Sequence, residues 1–192
     1  MGMMTRRAWL LPALALPLGC TAPWILTANL SRLPPGEDAP STEGTDADGH
    51  PLGIASQRGK VVMLSFWSSG CGPCRRMFPH ENELVAKYAS SPFVLLGVNA
   101  DPNPHQLRQT QQRAQLRWPS LWDGPGGGIC NAWKVQAFPT IVLIDQAGKV
   151  RFRHEGMAAQ STLEGHITGL LAEGSPPPKG ALTARPGAPA PG

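Results

Sequence analysis

Read as a pattern of apolar and polar positions, the middle of the chain alternates between strand-like and helix-like stretches. Val61-Val62-Met63-Leu64-Ser65-Phe66-Trp67 is an almost unbroken apolar run rich in β-branched and aromatic residues, the mark of a buried strand. After it, Cys74, Met77, Phe78, Leu84, Val85 and Tyr88 recur mostly three or four apart, which predicts a helix. Ser90-Ser91-Pro92 stops that helix, and Phe93–Asn99 repeats the buried-strand pattern. Asp101-Pro102-Asn103-Pro104 opens a polar helix expected from about 104 to 117, with Leu107, Ala114 and Leu116 as its few apolar positions. Trp118–Asp123 leads into the glycine run 124–128, read as a loop before a short helix over 129–135. Thr140–Asp145 and Val150–His154 are two strands joined by the turn Gln146–Lys149, an antiparallel hairpin at one edge of a sheet. In the second of these, Arg151 and Arg153 are expected in solvent, with Val150 and Phe152 toward the core. Leu163, Ile167, Leu170 and Leu171 define a last helix, with Ser161 and Glu164 as its capping box. Upstream, Asp48-Gly49 marks the turn of a small hairpin.

The two ends follow a different pattern. No charge occurs from Ala8 to Ser31, and Arg6 and Arg7 precede that stretch. Residues 1–30 therefore read as a targeting segment, with three outcomes open: a lipoprotein signal, an uncleaved membrane anchor, or ordinary cleavage. Leu18-Gly19-Cys20 resembles the end of a bacterial lipobox, which makes Cys20 the candidate lipidation site, although Pro17 departs from that pattern. All three outcomes export the domain, so an extracytoplasmic location is expected, tethered at the membrane by Cys20 or by the N-terminal segment. Pro34-Pro35-Gly36 marks 31–44 as a linker, 45–173 forms the folded domain, and the Pro-, Gly- and Ala-rich tail 174–192 is expected to be disordered.

Composition adds little beyond this. The chain has 192 residues, enough for one domain plus tails, and 41% of them are hydrophobic. The net charge of +4 comes partly from Arg6, Arg7, Lys179 and Arg185 in the tails. No clustered basic face argues for nucleic acid. Four cysteines, Cys20, Cys71, Cys74 and Cys130, do not make a disulfide framework.

Chemistry concentrates in Cys71-Gly72-Pro73-Cys74, placed where a strand turns into a helix. The first turn of a helix carries orphan N–H groups and the positive end of the dipole, and both stabilise a thiolate. A two-residue spacing lets the sulfurs meet across one turn. Gly72 permits the tight entry, and Pro73 suits an early helical position because its missing N–H costs nothing there. Arg75 and Arg76 add positive charge. A zinc site would need two further Cys or His ligands, and neither Cys20 nor Cys130 forms a second such pair. The glycine run lacks the Lys-Ser/Thr ending of a phosphate loop. Cys130 reads as a small buried thiol and His50 as a solvated turn residue.

Trp67-Ser68-Ser69-Gly70-Cys71-Gly72-Pro73-Cys74, Pro79 and Phe138-Pro139-Thr140 resemble the active site, helix-kinking proline and cis-proline segment of the thioredoxin superfamily. Gly59-Lys60-Val61-Val62 resembles its membrane-anchored extracytoplasmic branch, the TlpA/ResA-like proteins. The resemblance spans roughly 45–171. It implies an α/β thioredoxin-like fold, a central mixed sheet with helices on both faces. It implies a redox disulfide between Cys71 as nucleophile and Cys74 as resolving thiol. Phe138, Pro139 (in cis), Thr140, Gly72, Pro73 and Trp67 become the substrate-binding residues. No cofactor or metal is implied. The expected partners are protein thiols and disulfides and a membrane thiol donor of the DsbD/CcdA type, acting on a monomer. Two departures stand out. Ser65 occupies the position of thioredoxin's buried acid, and Gly70 replaces the Trp before its cysteine pair. A metallochaperone or a non-catalytic adaptor on the same fold are the alternatives.

Overall fold

A computed structural model describes residues 35–174. Residues 1–34 and 175–192, including Cys20, the targeting segment and almost all of the tail, lie outside the described residues. The elements run β1 (Glu43–Thr45), β2 (Pro51–Gly53), β3 (Val61–Trp67), α1 (Gly72–Lys87), β4 (Phe93–Asn99), α2 (Pro104–Arg113), β5 (Ser120–Trp122), α3 (Gly128–Ala132), β6 (Thr140–Ile144), β7 (Val150–Glu155) and α4 (Gln160–Gly174).

Five strands form one mixed sheet in the order β5-β4-β3-β6-β7. β3, β4 and β5 are parallel, whereas β6 and β7 are antiparallel additions. β1 and β2 form the separate small hairpin, with Gly49 turning at φ 86°. The fold is the expected thioredoxin-like one.

Period-two alternation divides the core. Val61, Met63 and Trp67 of β3 join Ile141 and Leu143 of β6 on the face covered by α1 and α4. Val62, Leu64 and Phe66 join Val142 and Ile144 on the other face, against Ile129, Cys130 and Trp133. Because β3 is fully buried on both faces, it reads as a continuous apolar run rather than an alternation.

Several expectations shift. Part of the expected linker belongs to the domain. The Gly36 N–H bonds the Val150 carbonyl at 2.6 Å, and the Ala39 N–H bonds the Gly148 carbonyl at 3.0 Å. Thr42 is fully buried, and Trp133 Nε1 donates to its hydroxyl at 2.7 Å. β5 is a strand where a lead-in to the loop was expected, paired in parallel with Gly97–Asn99. α2 ends at Arg113 and not near 117, because Gln115 takes a left-handed φ of 51°; Lys134 at 52° likewise closes the turn after α3. Ser161 lies inside α4 as its second residue and so does not cap it; Glu164 instead accepts from Gln160 Nε2 at 3.0 Å and pairs with Lys87 at 2.8 Å. Arg153 does not face solvent. Its side chain is 7% exposed and donates to the carbonyls of Trp133 and Lys134, which are left over where α3 ends. A register shift between Leu143 and Ile144 also sends Val150 and Phe152 to opposite core clusters.

Candidate active site

β3 ends at Trp67 and the chain needs only Ser68–Gly70 to reach α1. Cys71 is the N-cap of that helix: its backbone is extended, and its Sγ accepts the Cys74 N–H at 3.1 Å. Gly72 and Pro73 form the first turn, as their conformational preferences favour. Cys71 and Cys74 are joined in a disulfide, with Cα atoms 5.3 Å apart. Cys71 is half-buried, while Cys74, turned onto the core side of α1, is 1% exposed.

The loop before the cysteines is clamped from two sides. Asp101, buried just beyond β4, accepts from the backbone and side chain of Ser69, and its other oxygen accepts from Asn99 Nδ2 at 2.9 Å. Arg75 donates to the Ser69 carbonyl at 3.2 Å. Neither Asp101 nor Asn99 stands out as a site residue in the sequence, where they read as a strand end and a helix start.

β6 and the residues just before it carry the other candidate site residues, Phe138, Pro139 and Thr140. Thr140 pairs with Phe66 across β3, so the residues before Thr140 lie at the sheet end from which the cysteine loop leaves. The Phe138–Pro139 bond is cis. Phe138 is half-buried, whereas Pro139 and Thr140 are buried; the Pro139 carbonyl accepts from the Gly156 N–H at 2.7 Å, and the Thr140 hydroxyl donates to the Ala137 carbonyl at 2.8 Å. Trp67 is fully buried beneath the site. Its ring meets Phe78 at 5.2 Å and Trp118 at 5.9 Å, both edge to face, and its Nε1 donates to Ser120 Oγ at 3.3 Å.

One ionisable group under the site escaped the sequence reading. Glu81 of α1 is 1% exposed, and Ser65 Oγ donates to its Oε1 at 2.6 Å. Burial in an apolar surround pushes its carboxyl up to about 7, with the Ser65 hydrogen bond opposing part of that rise. Its signal was present: Glu81 sits on the stripe of Cys74, Met77, Phe78 and Leu84 that α1 buries. A charged residue at a core position of a helix is the unusual observation.

The remaining candidates lie apart from this chemistry. Cys130 is a free, buried thiol; burial first, and then the neighbouring Asp123 carboxylate, push it up to about 12. His50 is exposed on the β1–β2 turn, where Asp46 accepts from the His50 backbone at 2.9 Å and lies 3.2 Å from its Nδ1. Asp48 completes a cluster there, but Asp46 is already committed to closing the turn.

Known proteins resemble this chain in sequence and in fold. Residues 35–153 match the model of the AhpC/TSA family. The thiol-disulfide oxidoreductase ResA of Bacillus cereus (strain ZK / E33L) is 30% identical over 140 residues, which is 73% of this chain and 80% of that protein. ResA of Geobacillus kaustophilus (strain HTA426) is 32% identical over 135 residues, 70% of this chain and 77% of its own length. Among solved structures, a Chlorobium tepidum protein, described as a candidate thiol:disulfide interchange protein DsbE, superposes with a TM-score of 0.68 at 32% identity, covering 72% of this chain and 99% of that one. With its five-stranded sheet and its cysteine pair at the start of α1, the chain belongs to the AhpC/TSA family of thioredoxin-like proteins, as a thiol-disulfide oxidoreductase of the ResA and DsbE type.

Proposed function

We propose that this chain is an extracytoplasmic reductant of protein disulfides, held at a membrane by its N-terminal segment, with Cys71 as the attacking thiol and Cys74 as the resolving thiol. The observation that carries the division of roles is the contrast in position. Cys71 is the more accessible sulfur and accepts a helix N-terminal N–H at 3.1 Å, while Cys74 is 1% exposed. A thiolate at Cys71 gains from that N–H and from the helix dipole. It attacks a substrate disulfide, and a mixed disulfide forms while the other substrate sulfur leaves. Cys74 then attacks the Cys71 sulfur, the internal disulfide closes, and the second substrate sulfur is released.

Phe138, Pro139 and Thr140, with Gly72 and Pro73 across the site, form the surface for an extended substrate segment; Trp67 supports it from below. Phe138 is the member of that triplet with accessible side-chain surface. The Gly72-Pro73 pair is that of thioredoxin, whose potential is about −270 mV against about −120 mV for the oxidant DsbA, and this supports reduction as the direction. A reductant outside the cytoplasm needs recharging, so a membrane thiol donor of the DsbD/CcdA type is the proposed partner of a monomeric domain. Attachment is assigned to a lipid on Cys20, with an uncleaved N-terminal helix as the alternative. Among the described residues, no helix is long and apolar enough to cross a membrane.

Trapping tests the roles. Cys74→Ser protein exposed to extracts of exported proteins is expected to accumulate mixed disulfides that a reducing agent releases, and Cys71→Ser is expected to form none. Adducts on Cys71→Ser alone would reverse the assignment.

A further inference from the structure

Closing the internal disulfide poses a proton problem. Cys74 is 1% exposed, and burial disfavours the charged form it needs as a nucleophile. Its proton must go somewhere as it attacks Cys71.

The surroundings of Cys74 offer few destinations. Apart from the cysteines, the one ionisable member of its core cluster is Tyr88, whose hydroxyl is engaged with Thr168 at 3.0 Å. On α1 itself, Arg75, Arg76, His80, Glu83 and Lys87 are exposed. From the sheet, Ser65 faces Gly97 of β4 and Ile141 of β6, and neither ionises. On α4, Glu164 is paired with Lys87 and His166 is exposed. On α2, Leu107 is the buried residue, Arg108 is paired with Asp48 and Arg113 is exposed. Asp101 beyond β4 is bound to Ser69 and Asn99.

That leaves Glu81. It follows Cys74 by seven residues on the one buried face of α1, about two helical turns or roughly 10 Å along the axis. Cα–Cβ bonds in a helix tilt toward its N-terminus, the direction in which Cys74 lies from Glu81. Oε1 holds the Ser65 hydrogen bond, and Oε2 has no hydrogen-bond partner among the described residues. Among the described residues no cation is paired with the carboxylate, and its one hydrogen-bond donor is a neutral hydroxyl that suits either charge state.

We propose that Glu81 is the proton acceptor for Cys74, taking up the thiol proton as Cys74 attacks Cys71 and returning a proton when the disulfide is reduced again. This rests on the assignment of Cys74 as the resolving thiol. In the closing step, the Cys74 Sγ–H proton passes to the Glu81 carboxylate and the Cys74 sulfur bonds to the Cys71 sulfur. The bond from Cys71 to the substrate sulfur breaks, and its electron pair leaves on that sulfur, which is then protonated by solvent. Over the full cycle two electrons pass from the dithiol to the substrate disulfide. Glu81 acts through Cys74 and does not meet the substrate. With its carboxyl raised to about 7 by burial, Glu81 is available in both forms near neutrality.

The test uses the reduced full-length chain carrying Cys20→Ser and Cys130→Ser, so that Cys71 and Cys74 are its two thiols, and 5,5′-dithiobis(2-nitrobenzoate). Attack by Cys71 releases the first thionitrobenzoate, and attack by Cys74 on the mixed disulfide releases the second, so the two steps separate as two absorbance phases. In this parent chain, the second phase is expected to accelerate through an inflection near pH 7. In Glu81→Gln, that inflection is expected to vanish and the second phase at pH 8 to slow at least tenfold, with the first phase unchanged. Glu81→Asp is expected to restore the inflection. An unaltered profile in Glu81→Gln, or an equal slowing of both phases at every pH, would overturn the proposal. Should Glu81→Gln not fold, the infrared difference spectrum of the wild type decides. A protonated-carboxyl band larger in the oxidised than in the reduced protein is expected, and no change in that band overturns it. If instead Cys74→Ser releases the second thionitrobenzoate as fast as the parent chain, the assignment of the resolving thiol fails, and the role of Glu81 fails with it.

Discussion

Asp101 Oδ1 accepts two hydrogen bonds from Ser69, one from its backbone N–H at 2.8 Å and one from its hydroxyl at 2.9 Å. The loop that presents Cys71 thus hangs on a buried carboxylate at the end of a neighbouring strand. Asp101→Ala is expected to destabilise the domain by about 2–4 kcal/mol, because it strands a backbone donor and an amide in a buried site. Ser69→Ala keeps the backbone bond and should cost about 1 kcal/mol. Chemical denaturation of both variants checks this, and disulfide reduction should slow more in Asp101→Ala. Equal losses in the two would mean that the loop does not depend on the carboxylate.

Stability should fall with rising pH through Glu81. Its carboxyl is raised from the ordinary 4.5 to about 7, chiefly by burial. Between those values the native state holds a proton that the unfolded chain has lost. The stabilisation is full below about 4.5 and is lost as pH rises through about 7. The loss amounts to at most about 3 kcal/mol. Urea denaturation of the oxidised protein at several pH values should show this decline, and Glu81→Gln should flatten it. A decline of equal size in Glu81→Gln would assign it to another group.

Gly97 marks a close approach. It pairs with Ser65 on one side and Ser120 on the other, and a β-carbon there would overlap Ser120 Oγ, the Trp118 ring and Trp67 Nε1. Gly97→Ala is therefore expected to destabilise by about 1–3 kcal/mol through overpacking under the site. Thermal melting measures it, and an unchanged midpoint would show that the aromatic group yields freely.

Much of this was legible beforehand, and the exceptions share a cause. β3 and β4 announced themselves because a strand buried on both faces must be apolar throughout. The cysteine pair was legible because Gly-Pro between two cysteines after such a strand has few uses. β5 was not, since three residues held by parallel pairing to one neighbour carry no period. Arg153 reads as solvent-facing in any alternating strand, and only the carbonyls at the end of α3 explain its burial. Ser65 looked like a lost acid. The compensating carboxyl stands 16 residues away on a helix, a relation that only the packing of α1 on β3 creates.

The direction of electron flow can be read from one equilibrium. Against glutathione, the purified domain is expected to show a potential more negative than about −200 mV, as reducing members of the superfamily do. A value near −120 mV, with the protein oxidising reduced substrates, would reverse the direction and leave the exchange chemistry in place.

Attachment has an equally direct readout. Mass spectrometry of the membrane-extracted protein is expected to find a mature chain beginning at Cys20 with two or three acyl groups. Residues 1–19 still attached would favour the uncleaved anchor, and a mature chain that begins elsewhere, free in solution, would exclude both.

The stitching of Gly36–Thr42 onto the domain sets a working radius. With a lipid on Cys20, the leash is the fifteen residues 21–35, which span at most about 50 Å fully drawn out, whereas a leash running to 44 could reach about 80 Å. If Cys20 carries the lipid, as proposed, that bound limits how far Gly36, the first residue stitched to the domain, can stand from its anchor, and the reach of the cysteine pair is this length plus the span of the domain itself.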